Sequence, residues 1–449
     1  MKKNKKLWSA STGLDAFAEQ FTVGSDREMD LELAEFDVLG SLAHINMLAR
    51  VGLLSDSELD LLKKGLIEIY DKIKAGKFFI AEGVEDIHSQ VEIILTEKLG
   101  DVGKKIHSGR SRNDQVLVDL KLFMRDRIMK LTEDIQQLFS QLLALSDRYA
   151  DVGMPGYTHT QAAMPSSFGL WFGAFAESLL DDTVQLHAAY TIVNKNPLGS
   201  AAGYGSSFPL DRQLTTELLG FDDLNYNSIY AQMGRGKSER VVAQALGSFA
   251  ETLGKMASDI ILYLSQNFNF ISFPEQLTTG SSIMPHKKNP DIFEILRAKC
   301  NQLKALPNEI MMITANLTSG YHRDLQLIKE KLIPAFATMA ACMHMLQFAL
   351  AHIHVNREIL NDEKYLNLYS VEAVNQMVME GVPFRDAYHQ VAAQIKEGTF
   401  QKPAPRPHQH QGSMGNLCNG EISIMMDEVI HGFKFAKVRE AIEVLLNLN

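Results

Sequence analysis

Leu117, Leu120, Met124, Ile128, Leu131, Ile135, Leu138, Leu142 and Leu145 recur at spacings of three or four, with no proline or glycine between them. Residues so spaced share one face of an α-helix. A stripe this long predicts one amphipathic helix well beyond the three turns or so of an ordinary globular helix. Leu246, Phe249, Leu253, Met256 and Ile260 repeat the pattern, and further long helical windows follow Pro165, Pro290 and Asp324. The expectation is an all-α fold built on a bundle of long helices. Apolar stripes of this length exceed what one chain easily covers, so a homo-oligomer is expected.

With 449 residues, 46% of them hydrophobic, the chain can fill the cores of two or three domains. We expect an N-terminal domain over 1–110, a central bundle over 111–358 and a smaller C-terminal domain over 359–449. The last of these begins to depart from the helical pattern at Lys402 to Gly415, where three prolines stand among turn residues. A net charge of −10 argues against nucleic acid as the main partner. Cys300, Cys342 and Cys418 have neither metal-site spacing nor the pattern of a disulfide framework, which fits a reducing cytoplasm and predicts no metal. The basic stretch Met1 to Lys6 is not followed by the apolar run of a secretory signal. Ala335 to Val355 approaches the length of a bilayer crossing, but His344, Gln347, His352 and His354 interrupt it, and a central bundle helix is the better reading.

Four polar segments stand where the bundle helices begin or end. Gly280 to Pro290 reads Gly-Ser-Ser-Ile-Met-Pro-His-Lys-Lys-Asn-Pro. Two hydroxyls and two ammonium groups there precede Asn289-Pro290-Asp291, which reads as a helix start with Asn289 as its cap; this is a loop suited to gripping anions. His107 to Gln115 sets Arg110 and Arg112 among amide and hydroxyl groups ahead of the first long helix. Planar guanidinium forks of this kind match carboxylates, and Ser111 or Asn113 can cap the helix at the same time. In Pro155 to Gln161, His159 lies between threonines, and a histidine is the side chain suited to carrying a proton at neutral pH. From Tyr321 to Lys329 a loop opens into a helix, and Gln326 and Lys329, three apart, share one face.

These segments, together with Glu85 to Glu92 and Pro197-Leu198-Gly199, follow the order and spacing of the argininosuccinate lyases along nearly the whole chain. The Gly280 loop by itself resembles the wider fumarase/aspartase superfamily, and His107 to Gln115 is the part that resembles this lyase in particular. The resemblance implies a central bundle of the fumarase/aspartase type with smaller, mostly helical N- and C-terminal domains. It also implies a tetramer with active sites shared among three subunits, no cofactor, and cleavage of argininosuccinate to arginine and fumarate.

By the same resemblance Ser281 and His159 take the two proton roles and Glu294 orients the histidine; Lys287 and the helix N-terminus at Pro290 are the groups available to stabilise a Ser281 alkoxide. Ser281 as base and His159 as acid is the preferred assignment, and the reverse stays open. Asn113, Thr158, Asn289, Tyr321, Gln326 and Lys329 match the family's substrate contacts, and Arg112 and Arg235 are additional candidates for gripping carboxylates. The family's substrate-binding serine falls on Asp26, with Ser25 beside it. His322, His286 and Gly236 stand where the family usually has asparagine, glutamine and an acidic residue, and the tail beyond Lys402 departs from its usual ending. A related lyase acting on adenylosuccinate or aspartate, and a structural protein without turnover, are the rival readings.

Overall fold

The computed structural model describes residues 16–406 and 408–447. The chain opens with α1 (Ala16–Val23), α2 (Asp26–Leu31), α3 (Ala34–Arg50), α4 (Asp56–Lys74), α5 (Ile87–Leu99) and α6 (Asp101–Lys104). The local chemistry sets these boundaries. Ser55 and Glu58 form a reciprocal capping box at the start of α4, and the Asp86 carboxylate accepts the Ser89 N–H at the start of α5. Gly103 lies so close to the Leu95 backbone that a Cβ there would sit 2.5 Å from its carbonyl, so α6 folds directly back on α5.

The long helix forecast from the leucine stripe is α7, Arg112–Arg148, whose 37 residues span about 55 Å at about 1.5 Å per residue. Ser111 caps it and Asp114 completes the box, as one of the two expected capping residues. A short antiparallel hairpin follows, β1 (Gly153–Thr158) and β2 (Gln161–Ser167), then α8 (Phe168–Val193). Residues 194–236 hold the parallel two-residue pair β3 (Lys195–Asn196) and β4 (Asp223–Leu224), with α9 (Arg212–Leu218) and α10 (Ser228–Met233). Then come α11 (Lys237–Leu264), strand β5 (Ile271–Ser272), α12 (Asp291–Ile313) and α13 (Leu327–Leu350), with β6 (His354–Val355) pairing back on β5.

Helices α7, α8, α11, α12 and α13 pack lengthwise on one another as the bundle. Their buried stripes, joined by the α3–α5 side chains, make one continuous core that includes Phe123, Phe172, Phe249 and Phe293. Among the described residues one helical stretch, Arg323–Leu350, is long and apolar enough to cross a bilayer, and half of its most apolar window is buried inside this bundle. Helices α14 (Ser370–Met379) and α15 (Phe384–Glu397) close a small core of their own around Val374, Ala387, Val391 and Phe400. Beyond the proline-rich turn, α16 (Asn419–Gly432) returns to α8, and α17 (Phe435–Asn447) packs on α3 and α9.

One local expectation is corrected. Asn289 does not cap α12; Pro290 occupies that position, without a side-chain cap. Asn289 instead pairs through its backbone with Thr279, its N–H donating over 2.8 Å, and its side-chain amide donates to the Gly280 carbonyl. The residues between are thereby held as a loop closed at its base, with Ile283 to Lys288 exposed.

Candidate active site

The start of α7 is the anchor of the site. Asp114 is fully buried; its Oδ1 accepts the Ser111 N–H at 2.8 Å, and its Oδ2 accepts the N–H groups of Gly199 and Ala201 at 2.9 Å each. The first turn of α7, which carries Arg112 and Asn113, is thus fixed to the 197–201 loop. Arg112 and Asn113 line a cavity of about 160 Å³ shared with Asp26 and Asp30 of α2, Glu85, Asp86 and His88 at the start of α5, Arg235 before α11, and Tyr321, Arg323, Gln326 and Lys329 at the start of α13. A larger groove, of about 580 Å³, is lined by Arg50, Asp56, Asp211 and Glu217 among others and contains none of the residues picked from the sequence.

Charge in the cavity is dense and mixed. The Lys329 ammonium, 4% exposed, lies 2.5 Å from oxygens of both Asp26 and Asp30. Burial works to lower its pKa, but the charges of Asp30 and Asp26 outweigh it and the net shift is upward. Asp26 is pushed up to about 6, first by burial and then by Asp30, with Lys329 opposing. Arg112 Nη1 is 2.8 Å from Asp86 and 3.3 Å from Glu85, whose other oxygen is 3.3 Å from Arg323. Asp86 is drawn below the usual carboxylate range, because the charges of His88 and Arg112 overcome its burial.

Gln326 donates its amide to the carbonyls of Thr22 and Val23, 3.1 Å each, which ties α1 to the cavity. Arg235 reaches the wall, but its Nε pairs with Glu239 at 2.9 Å and its Nη2 donates to the Leu325 carbonyl. Gly236, where an acidic residue was expected from the family pattern, has φ +80° and its N–H bonded to Glu239 at 2.7 Å. Glycine suits that left-handed backbone. Nearby, His322 hydrogen-bonds Thr318 at 3.1 Å.

Of the residues expected at the site, Asp26, Arg112, Asn113, Arg235, Tyr321, Gln326 and Lys329 meet in this cavity. Thr158, His159, Ser281, Lys287, Asn289 and Glu294 do not line it. Thr158 and His159 occupy the exposed tip of the β1–β2 hairpin, where His159 and Thr160 form a two-residue turn with φ of 53° and 59°. Two non-glycine residues in the left-handed region carry a strain of about 1 kcal/mol or more each, and such strain clusters at functional sites. Ser281 is half-buried at the base of the Gly280 loop, its Oγ accepting the Met284 N–H at 3.1 Å, while Lys287 and Glu294 are exposed. No hydrogen bond or ion pair among the described residues joins Glu294 to His159 within the chain.

A model of the lyase family matches residues 9–304. The argininosuccinate lyase of Bacteroides thetaiotaomicron is 58% identical over 442 residues, covering 98% of this chain and 99% of that one. The chain belongs to the argininosuccinate lyase family. The argininosuccinate lyase of Thermotoga neapolitana is 38% identical, over 87% of this chain and 98% of its own length. Among solved structures, an EDDS lyase in complex with formate has a TM-score of 0.73 at 23% identity, covering 97% of this chain and 94% of its own. The class II fumarase of Schistosoma mansoni has a TM-score of 0.72 at 15% identity, covering 93% and 94%. These two show that the bundle fold is shared.

Sequence reasoning passed over Asp30, which completes the Lys329 pair, and Asp37 and Asp119, and it gave no role to His88 within the Glu85 to Glu92 segment. These last three are buried and offer atoms within 4.8 Å of one another, close enough to serve as metal ligands. The His88 Nδ1 is, however, already in a 2.6 Å hydrogen bond with Asp37, the geometry of an ion pair. The available signal was the Asp86-Ile87-His88 helix start, which sets an acid and a histidine on the first turn of α5.

Proposed function

We propose that this protein cleaves argininosuccinate to arginine and fumarate by general acid–base β-elimination, without a cofactor, as a homotetramer acting in the cytoplasm. The observation that carries this reading is the convergence of Asn113, Tyr321, Gln326 and Lys329, from distant parts of the chain, in one cavity holding both carboxylates and cations. Asp26 and Asp30 suit the ammonium group of an amino-acid end, while Lys329 and Arg112 suit carboxylates. Such a wall is poorly matched to the phosphate of adenylosuccinate, because Asp26, Asp30, Glu85 and Asp86 would all oppose it.

Elimination requires loss of a weakly acidic C–H proton, stabilisation of the extra charge on the adjacent carboxylate, and protonation of the departing guanidine nitrogen. We assign the first step to Ser281 as its alkoxide, stabilised by Lys287 and the α12 N-terminus, which takes the C–H proton and becomes the hydroxyl, and the last to His159, oriented by Glu294, which gives its proton to the guanidine nitrogen. Acid–base help of this kind contributes about a hundred- to ten-thousandfold, and positioning and charge stabilisation contribute the rest. Thr158 and Asn289 would complete the grip on the succinyl part.

Because His159 and Ser281 lie outside the cavity of their own chain, we take both to be supplied to it by neighbouring subunits, so that three chains build each site. The uncovered apolar side chains of the bundle support this: Ile295 and Met312 on α12 and Phe348 on α13 are 59%, 66% and 52% exposed. We read 111–358 as the unit that assembles, with 1–110 and 359–449 as the flanking domains. Cys300 and Cys342, buried side by side as free thiols rather than a disulfide, support the cytoplasmic assignment.

The purified protein should release fumarate, followed by its ultraviolet absorbance, from argininosuccinate and not from adenylosuccinate or aspartate. Release from one of the other two alone would replace this function with that of the relative concerned. No release from any of them would favour the non-catalytic reading.

A further inference from the structure

Behind the cavity wall lies a hydrogen-bonded acid–histidine pair that the elimination as described does not use. Asp37 on α3, 2% exposed, accepts the Nδ1 proton of His88 at 2.6 Å, and Asp119 on α7 stands 3.7 Å from the same nitrogen. The His88 ring forms part of the cavity wall. With Nδ1 committed to Asp37, Nε2 is the ring nitrogen left to meet a ligand.

The other cations that line the cavity each have a carboxylate partner, which itself lines the cavity in every case but that of Arg235. Lys329 faces Asp26 and Asp30, Arg112 faces Asp86 and Glu85, Arg323 faces Glu85, and Arg235 faces Glu239. Like Arg235, His88 has its closest acids, Asp37 and Asp119, outside the cavity lining; but where Arg235 spends both Nε and Nη2 on Glu239 and the Leu325 carbonyl, the pairing of His88 uses Nδ1 alone. We propose that His88 is a further substrate-binding residue, an imidazolium that donates from Nε2 to a carboxylate of the substrate while Asp37 and Asp119 hold the ring from behind. This rests on the function proposed above and adds a contact to it.

The groups facing the ring favour its charged form, although Asp119 is itself pushed well up by burial and by the charge of Asp37. Asp37 on α3, Asp119 on α7 and Asp86 at the start of α5 all favour the charged form; burial opposes them, and the balance raises His88 to about 9. A carboxylate that orients one imidazole nitrogen while the other faces the ligand fixes both tautomer and ring angle. A donor so fixed loses little conformational entropy when it binds.

The test uses the full-length protein with argininosuccinate. In His88→Gln, which keeps an amide of similar reach but removes the charge, kcat/KM is expected to fall roughly ten- to a hundredfold, mainly through KM; the thermal midpoint should fall as well, because Asp37 loses its cationic partner, so the KM-against-kcat split is the readout of the contact. A value within about twofold of wild type would overturn the proposal. If the variant does not fold, a crystal structure of the wild-type protein with arginine and fumarate bound decides: His88 Nε2 within about 3.2 Å of a ligand oxygen supports the contact, and every ligand oxygen beyond about 4 Å refutes it. Wild-type protein that fails to cleave argininosuccinate would count against the function, whereas wild-type turnover with an unaffected His88→Gln would count against this contact alone.

Discussion

The carboxylate of Asp114 reaches 85 residues along the chain to accept the N–H of Gly199 at 2.9 Å. The same group accepts from Ala201 and Ser111, so one buried side chain fixes both the start of the 37-residue helix and the loop beside it. Asp114→Ala would leave three N–H groups without this acceptor. At about 1–3 kcal/mol for each buried donor so stranded, several kcal/mol of stability should be lost, and Arg112 and Asn113 should lose their fixed position. Urea denaturation should show a lower midpoint, and any folded fraction should have a raised KM.

Asp26 binds its proton more tightly in the folded chain, with its pKa raised to about 6 from 3.8. Its effect on stability is therefore neutral below the unfolded value and increasingly unfavourable as pH rises from about 4 to about 6, staying so above. Asp26→Asn removes that titration. Its stability relative to wild type should improve by on the order of 2 kcal/mol between about pH 4 and pH 7, and the proposed grip of this carboxylate on the substrate's ammonium group predicts a raised KM. Urea midpoints measured across that range would check it; a difference that stays flat with pH would contradict it.

A Cβ at Gly169 would lie 2.5 Å from the Ala150 Cα and 2.7 Å from the Ser146 carbonyl oxygen. Those atoms belong to backbone and cannot step aside, so Gly169→Ala must push α8 from the end of α7. The cost should reach about 1–3 kcal/mol or more, read as a lower thermal midpoint. Because the β1–β2 hairpin stands on this junction, the His159 tip should shift with it and activity should fall more than stability.

Ser281→Ala, at the base of an exposed loop, should fold like wild type and lose most of its activity; unchanged turnover would remove Ser281 from the mechanism. In His159→Asn the rate should also fall steeply. The limb of the pH–rate profile that the histidine produces should vanish with it, and its survival would assign that limb to another group.

The bundle was legible in the sequence because apolar spacing is a local signal: the stripe from Leu117 to Leu145 and the windows after Pro165, Pro290 and Asp324 each fall within one observed helix. The site was half legible. Motif segments marked Asn113, Gln326 and Lys329, which meet, but Asp37 pairs with His88 across 51 residues and Asp30 with Lys329 across 299, and no short-range pattern records such contacts. The hairpin at Gly153 to Ser167 escaped notice because its proline- and glycine-bearing strands lack the alternation that marks a strand. The capping role expected of Asn289 failed for a related reason, since pairing with Thr279 claimed that residue.

The central claim is that His159 and Ser281 act in a cavity belonging to another chain. Mixing separately purified Ser281→Ala and His159→Asn proteins under conditions that exchange subunits tests it most directly. If sites are shared, some mixed oligomers hold one site with an intact serine and an intact histidine, and activity should return well above that of either parent. A mixture in which subunit exchange is demonstrated by mass spectrometry, yet which stays as inactive as its parents, would show that a single chain supplies both groups to each site and would contradict a site built from three chains.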